Sequence, residues 1–524
     1  MNARGEARRA LARVARLVLC ALPLAFLAIF LFYPLLSILG VSLAPEGRLD
    51  LSALSQLVRD SYYRRTLWFT TWQAALSTAL TLALGLPGAY VFARYEFPGK
   101  RVLRALTTIP FVLPTVVVAS AFRALLGPQG RLNLALMGVL GLERPPLNLQ
   151  HTLAIILIAH VFYNYTVVLR LVSGFWANLD PRLEEAGAVL GAGRWRLFRE
   201  VTLPLLTPAV AAAALLVFVF CFTSFGVVLL LGGPRFATVE VEIYYQTVSL
   251  LNLPMAAALS LVQIVFTTAL IGLYTRLQAR TSVPLNPRPR SATTRPARGW
   301  RARLMVAFNV GLIVVMLGVP LLALAERSLA TADGYSLTYY HALGVNRRGS
   351  VLFVPPLEAI RNSVSFALVT VALALTLGTL ATQILVVRGD GRGQGNGKAT
   401  ALMRGLRALR ALRAMLDPIF MLPLGVSAVT LGFGYIVALD APPLNLRTSV
   451  WLTPLAHTLV ALPFVVRTLL PALRSMNPHW REAAATLGAP PWRVWLEIDL
   501  PIIGRAMLVA AAFAFTVSMG EFGA

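Results

Sequence analysis

The chain has 524 residues, of which 57% are hydrophobic and 13% charged, and its mean hydropathy is +0.71. Soluble globular proteins carry about 25% charged residues, so this composition excludes an ordinary soluble enzyme. The formal net charge is +25, but the basic residues alternate with long apolar runs, which indicates a polytopic membrane protein and no nucleic-acid partner. Cys20 and Cys221 each lie inside an apolar run, so no disulfide framework or thiolate metal site is expected.

Apolar stretches long enough to cross a bilayer recur along the whole chain and predict an all-α membrane protein. A helix needs roughly 20 apolar residues to cross a hydrocarbon core about 30 Å thick. Eleven stretches meet this length: Leu17 to Leu39, Leu67 to Ala93, Ala105 to Leu126, Leu153 to Val172, Pro208 to Leu231, Met255 to Leu277, Leu304 to Ala325, Ser363 to Val387, Leu416 to Leu439, Trp451 to Leu470 and Ile502 to Ala524. The first is too long for a signal peptide and is predicted to be a retained helix.

Loop charge predicts the orientation, because Lys and Arg accumulate in cytoplasmic loops. Basic residues concentrate before residue 17 and in segments 94–104, 276–303 and 388–413, so the N-terminus and these segments are predicted to be cytoplasmic. The segment from Gly232 to Pro254 holds Arg235 beside two glutamates and is predicted to be an external loop.

A basic stretch rich in Pro, Ser and Thr, from Thr281 to Arg298, has the composition of an unpacked linker. It predicts a first membrane half at 1–280, a cytoplasmic linker at 281–303 and a second half at 304–524. The Gly-rich patch from Gly389 to Gly397 does not complete a phosphate-binding loop, which would need Gly at Arg392 and a hydroxyl at Ala399. No nucleotide site is therefore predicted in this chain.

An internal repeat with an offset of 297 residues links the two halves. The segment Pro145-Pro146-Leu147-Asn148-Leu149 recurs at 442–446 without a gap, and His160 recurs as His457. The matching residues are polar, aromatic or structural, so apolar composition alone does not explain the register. The halves are predicted to be parallel repeats about an axis along the membrane normal.

Each repeat carries the same loop motif after its His-containing span. The second copy has Glu482-Ala483-Ala484, then Gly488 after three residues, then Ile498-Asp499-Leu500-Pro501 after nine more. The first copy departs from it at Gly187 and Val201. The motif residues of both copies are Glu185, Ala186, Gly191, Pro204, Glu482, Ala483, Ala484, Gly488 and Pro501. This pattern is the cytoplasmic loop signature of binding-protein-dependent ABC importer permeases, and the chain resembles that family.

The resemblance implies a bacterial inner-membrane permease of two parallel six-helix type I repeats, with the second apparently truncated. Its expected partners are a cytoplasmic ABC ATPase dimer, which docks on the two loops, and an extracytoplasmic solute-binding protein. No catalytic residue, metal or cofactor is expected. The departures at Gly187 and Val201 predict weaker docking of the first loop. An amphipathic helix lying on lipid is the alternative interpretation of these loops.

Ionisable and polar residues at membrane depth predict a substrate pathway. Glu521 and its repeat counterpart Ser224 are each followed by Gly two residues later, and are expected to face each other as half-sites. Asn164 is a weaker candidate. Alternatively, Glu521 lies at the interface in water and Asn164 bonds between helices. His160 and His457 are predicted to be packing residues.

The substrate prediction depends on some thirty residues. The stretch from Cys221 to Pro234, with Thr238 to Tyr244, is similar to thiamine permeases, as is Ser518 to Gly523. A carboxylate and aromatic rings suit an organic cation, and a carboxylate also suits ferric iron. Thiamine is preferred, ferric iron is the alternative, and an energy-independent channel or facilitator is the alternative from another class.

The repeat also predicts that the given chain is incomplete. The 297 offset maps Ala524 onto Val227, and the first half continues through a further apolar span to Arg280. A full product of about 580 residues with a twelfth span is therefore expected.

Overall fold

The computed structural model describes residues 21–45, 47–281, 294–332, 334–346, 354–386, 416–440, 442 and 444–521. These residues form an all-α polytopic membrane protein, as predicted. The nine long apolar helices in these ranges are α1 Ala21–Leu43, α2 Ser61–Arg94, α3 Leu153–Trp176, α4 Trp195–Phe222, α5 Leu253–Leu277, α6 Trp300–Leu329, α7 Pro356–Val386, α8 Leu452–Arg474 and α9 Trp492–Gly520. The Gly-rich patch near residue 390 lies outside the described residues.

Short elements connect the long helices. The short helices are Ser52–Arg59, Lys100–Leu106, Ile109–Val112, Thr115–Leu126, Arg131–Leu140, Pro181–Val189, Val228–Gly232, Val239–Tyr244, Tyr245–Ser249, Thr338–His341, Ala342–Gly344, Leu422–Gly425, Ala428–Ala438 and Pro478–Thr486. Tyr95–Glu96 pairs in parallel with Arg295–Pro296, and Ala330–Thr331 pairs in antiparallel with Gly334–Tyr335.

Three of the eleven predicted spans are broken rather than straight. The predicted span from Pro208 to Leu231 ends at Phe222, and a separate helix follows at Val228–Gly232. The prediction of one helix from Ala105 to Leu126 is wrong, because the segment forms three short helices. Pro110 and Pro114 explain the breaks, since proline lacks an N–H and disfavours helical backbone in the preceding residue. The predicted span from Leu416 to Leu439 bends by 97° between Gly425 and Ala428.

Close contact between parallel helices forms the centre of each half. A Cβ atom placed on Gly85 of α2 would lie 2.8 Å from Cγ1 of Val168 on α3. Gly378 of α7 meets Val465 of α8 in the same way, and Val465 follows Val168 by the 297 offset. Glycine lets the two backbones approach closely, which favours helix association in lipid.

Contacts along these helices give their relative directions. Ser77 of α2 meets His160 of α3, and Gly85 further along α2 meets Val168 further along α3, so the two helices run parallel. The chain must therefore return across the membrane between them, and the broken segment from Lys100 to Leu126 makes this return.

The described residues form two compact units that differ from the sequence halves. One unit combines Met1–Leu49 with Asn346–Ala524, and the other is Asp50–Val345. In the first unit, Tyr435 donates a hydrogen bond to the Phe30 carbonyl of α1 at 3.0 Å. In the second unit, α6 packs against helix Thr115–Leu126. Each half's first long helix thus packs in the unit built mainly from the other half.

Two predicted loops are more ordered than their composition indicated. Residues 294–303 do not form an unpacked linker, because the Arg295 guanidinium lies 5.2 Å from the Tyr95 ring centroid. The predicted external loop from Gly232 to Pro254 contains the helices Val239–Tyr244 and Tyr245–Ser249, in which Glu240 and Glu242 are buried. Glu242 accepts hydrogen bonds from Tyr62 and Gln246, both at 2.7 Å. Tertiary hydrogen bonds of this kind leave no periodic signal in sequence.

We expect Gly85→Ala to lower the free energy of unfolding by about 1–3 kcal/mol, because its methyl group would overlap Val168. The control is Gly272→Ala in α5, where no atom lies within 4 Å of the added Cβ. Thermal unfolding of the purified variants measures the difference. Equal stability of the two variants would contradict the role of this contact.

Candidate functional site: two repeated loops and two buried histidines

Each predicted coupling loop begins with a capped short helix. Helix Pro181–Val189 starts after Asp180, whose carboxylate accepts a hydrogen bond from the Arg182 N–H at 3.1 Å. Helix Pro478–Thr486 starts after Asn477, whose side chain accepts from the His479 N–H at 3.0 Å. Both caps satisfy a free N–H of the first turn, so the two loops begin with the same geometry.

Each short helix ends at a glycine in the left-handed conformation. Gly191 has φ of 82° and Gly488 has φ of 79°. In the first loop, the Ala192 N–H donates to the Gly187 carbonyl at 3.1 Å and the Gly191 N–H donates to the Ala188 carbonyl at 3.0 Å. The second loop repeats both bonds. This pair of bonds defines a Schellman motif, in which glycine avoids the steric cost of positive φ.

A polar side-chain contact ties each short helix to the residue just before helix Leu203–Phe222 or helix Leu500–Gly520. The residue types that make this contact differ between the two copies. In the first loop, Thr202 donates to Glu184 at 2.9 Å, and Glu184 also accepts from Arg94 at 2.8 Å. In the second loop, Arg481 donates to Asp499 at 2.8 Å. The 297 offset relates these positions, but sequence reasoning missed the contact because no residue type is shared.

The departure at Gly187 has a structural explanation inside the loop. A Cβ atom on Gly187 would overlap Cδ2 of Leu197. The second copy places Ala484 and the smaller Val494 at these two positions. A larger residue at one position is matched by a smaller one at the other, so the two copies fill similar space inside the loop. Weaker docking of the first loop stays a prediction.

The remaining motif residues form an exposed face. Glu185, Ala186, Glu482 and Ala483 are all exposed. Leu190 and Leu487, one residue before each turn glycine, are 87% and 88% exposed, and Trp195 and Trp492 are also exposed. Pro204 and Pro501 lie in the first turns of helices Leu203–Phe222 and Leu500–Gly520. An exposed leucine beside small alanines is suited to contact with another surface.

The pathway candidates Ser224 and Asn164 both contact the buried His160. The His160 ring forms hydrogen bonds with Ser77 through Nδ1 and with Ser224 through Nε2, each at 2.8 Å. The Asn164 amide donates to the His160 carbonyl at 2.9 Å. Ser224 lies just after α4 ends, so this network fixes the point where the helix breaks.

The second half contains a related contact at His457. Its Nδ1 lies 2.8 Å from Ser518 Oγ, and Ser518 donates to Thr370 at 3.4 Å. The 297 offset relates Ser518 to Cys221, whereas Ser224 corresponds to Glu521, and that pairing stays a prediction. Ser518 meets Nδ1 of His457, whereas Ser224 meets Nε2 of His160, so the two contacts are related but not equivalent.

Glu521 lies outside the helix that was predicted to contain it. α9 ends at Gly520, and Glu521 follows in extended backbone with intermediate exposure. Phe522, Gly523 and Ala524 lie outside the described residues. Sequence reasoning also assigned the two histidines to packing, although a shared His in both repeats was the signal that could have identified the network. Among the described residues, no group of three potential metal ligands is found.

The sequence is similar to those of transport permeases. The sequence profile of the family described as "binding-protein-dependent transport system inner membrane component" matches residues 82–283. A probable ABC transporter permease protein of Sinorhizobium fredii is 27% identical over 517 residues, covering 94% of this chain and 84% of that protein. The thiamine transport system permease protein ThiP of Salmonella typhimurium is 28% identical over 494 residues, covering 92% and 82%.

The resemblance to an ABC importer permease with two fused halves is confirmed. The chain is a multi-pass permease of the inner membrane. A solved bacterial alginate ABC transporter, in complex with an alginate pentasaccharide-bound periplasmic protein, has a TM-score of 0.43 and 18% identity, covering 54% of this chain and 99% of that one.

Replacing the turn glycines should uncouple the loops from their partner without preventing membrane insertion. Gly191→Val and Gly488→Val each place a β-branched residue at positive φ, which costs about 1–3 kcal/mol locally. We expect transport and stimulated ATP hydrolysis to be lost in both variants. Gly193→Val is the control, because its backbone is not left-handed and its Cβ would meet no atom within 4 Å. Normal transport by both turn variants would contradict the role of the loops.

We expect His160→Ala to lower the free energy of unfolding by about 1–3 kcal/mol, because the buried Ser77 and Ser224 hydroxyls lose their shared partner. The control is the exposed His341→Ala. Thermal unfolding of purified protein measures both changes. If the His160 variant is as stable as the control, the hydroxyl contacts do not fix the break after α4.

Proposed function

We propose that this chain is the membrane-spanning permease subunit of an ATP-driven importer for a small solute. A separate cytoplasmic ABC ATPase dimer hydrolyses ATP, and an extracytoplasmic binding protein delivers the solute. We expect no catalytic residue in the chain itself. The observation that carries this proposal is the pair of loops, each presenting an exposed leucine and exposed alanine just before a Schellman turn.

The side-chain ties give the loops a mechanical role. Arg481 bonds to Asp499 at the start of helix Leu500–Gly520, and Glu184 bonds to Thr202 at the start of helix Leu203–Phe222. A displacement of either loop by an ATPase subunit is therefore passed to a long helix rather than absorbed by a flexible connection. This arrangement suits alternating access, in which ATP-driven closure moves one repeat against the other.

We propose that the loops and the N-terminus face the cytoplasm. The proposal is supported by the basic residues at the end of α2, where Arg94 contacts the first loop through Glu184 and Lys100 follows. The repeat supports a division into halves at 1–280 and 304–524, joined by residues 281–303. The exchange of α1 and α6 between compact units is compatible with that division, because it involves the first long helix of each half.

Thiamine is the substrate we propose. Support comes from the curated relative described as a thiamine transport system permease, which is similar over 92% of this chain. Glu521 offers a carboxylate to an organic cation, while Ser224 and Asn164 offer hydrogen bonds at membrane depth. A ferric iron permease and an energy-independent channel remain the alternatives, and no described feature favours either over thiamine.

Uptake into proteoliposomes containing the whole transporter tests this proposal. We expect thiamine uptake that requires the ATPase, ATP and the binding protein. Ferric uptake under the same conditions would replace the substrate proposal, and uptake without ATP would replace the importer proposal.

In the same assay, Glu521→Gln should raise the half-saturating thiamine concentration roughly tenfold, equivalent to about 1.4 kcal/mol, because charge is lost while shape is kept. The control is Glu358→Gln, an exposed glutamate in the first turn of α7. Equal kinetics for the two variants would remove Glu521 from the pathway.

A further inference from the structure

A cavity of about 540 Å³ lies between helix Thr115–Leu126 and α6. Its polar lining includes Ser120, Arg123, Gln129, Gln150 and Arg327. The volume falls in the range of small-molecule sites, which is about 300–1,000 Å³. None of these residues belongs to the loops or to the histidine networks.

The cavity lies at the end of its unit opposite to the coupling loop. Gln150 precedes the first residue of α3, whereas helix Pro181–Val189 follows the last residue of α3. If the loop is cytoplasmic, as proposed above, the cavity opens on the extracytoplasmic side. Nearby, Leu322 of α6 is 68% exposed and Val116 is 43% exposed, so lipid-facing surface adjoins the cavity.

Two arginines from different helices give the cavity a positive charge. The Arg123 guanidinium donates to the Leu230 carbonyl at 2.7 Å, which holds it in place. Among the described residues, neither Arg123 nor Arg327 forms an ion pair. Glu326, the acid next to Arg327, is already bound by Arg131 and by the Tyr335 hydroxyl at 2.8 Å.

A buried asparagine fixes the wall of the cavity. Asn133 is fully buried, and its amide donates to the Gly127 carbonyl and the Leu147 carbonyl, each at 2.8 Å. The Leu147 N–H donates back to the Asn133 side-chain oxygen at 2.9 Å. These bonds hold the turn that carries Gln129 in one position. These bonds fix the backbone on one side of the cavity.

We propose that this cavity binds a phosphate group, either from a lipid headgroup or as a free oxyanion. Two guanidinium groups with amide donors match the oxygens of a phosphate, and arginine binds such oxygens through paired hydrogen bonds. The same charges repel an organic cation, so the cavity is distinct from the substrate pathway. A bound phosphate links helix Thr115–Leu126 to α6 at the point where the two helices pack.

Lipid retention and thermal stability of the purified full-length chain test the two sources. Native mass spectrometry compares retention of phosphatidylglycerol with that of diacylglycerol, which has no phosphate group, and thermal unfolding compares potassium phosphate with potassium chloride at equal ionic strength. We expect retention of phosphatidylglycerol or stabilisation by phosphate, weakened roughly tenfold in the double variant Arg123→Gln with Arg327→Gln.

Arg235→Gln is the matched control, because Arg235 is exposed and does not line the cavity. Preferential retention of phosphatidylglycerol identifies the lipid source, and stabilisation by phosphate without lipid preference identifies the free oxyanion. If the double variant unfolds, the same measurements are made on the single variants Arg123→Gln and Arg327→Gln, and each is expected to weaken binding. Binding unchanged in all these variants, or no response of the wild-type protein to either probe, would overturn the proposal.

Discussion

The contact between two parallel helices at a glycine is the constraint on which each half depends. Lipid tails give little drive to bring apolar helices together, so close backbone approach and internal hydrogen bonds must do so. Gly85 lets α2 meet Val168 of α3, and Gly378 repeats this contact with Val465. The contact also sets the height of α3 relative to α2, which brings His160 level with Ser77.

The buried His160 links the packed pair α2 and α3 to the segment that follows α4. His160 uses both ring nitrogens to join hydroxyls from α2 and from the segment after α4. Because an unpaired polar group in hydrocarbon is costly, this network holds the break after α4 in one place. At the other end of α4, the tie from Thr202 to Glu184 fixes the coupling loop. The same helix therefore connects the loop to the candidate pathway.

The two copies preserve geometry more strictly than chemistry. Glu184 with Thr202 and Arg481 with Asp499 occupy equivalent positions, although acceptor and donor are reversed. Gly187 with Leu197 and Ala484 with Val494 exchange size in the same way. Both pairs indicate that the position of the short helix matters, while the interaction that holds it can vary.

The sequence by itself determined the all-α membrane class, the repeat and the two loops, because apolar length, proline, glycine and cap residues act locally. It predicted the turns at Gly191 and Gly488 for the same reason. Only the tertiary structure decided that the 105–126 stretch is broken, that α1 and α6 exchange units, and that His457 meets Ser518. These features depend on which distant helices pack together and on how far one is shifted along the axis of the other. Hydrophobic periodicity carries no information about either.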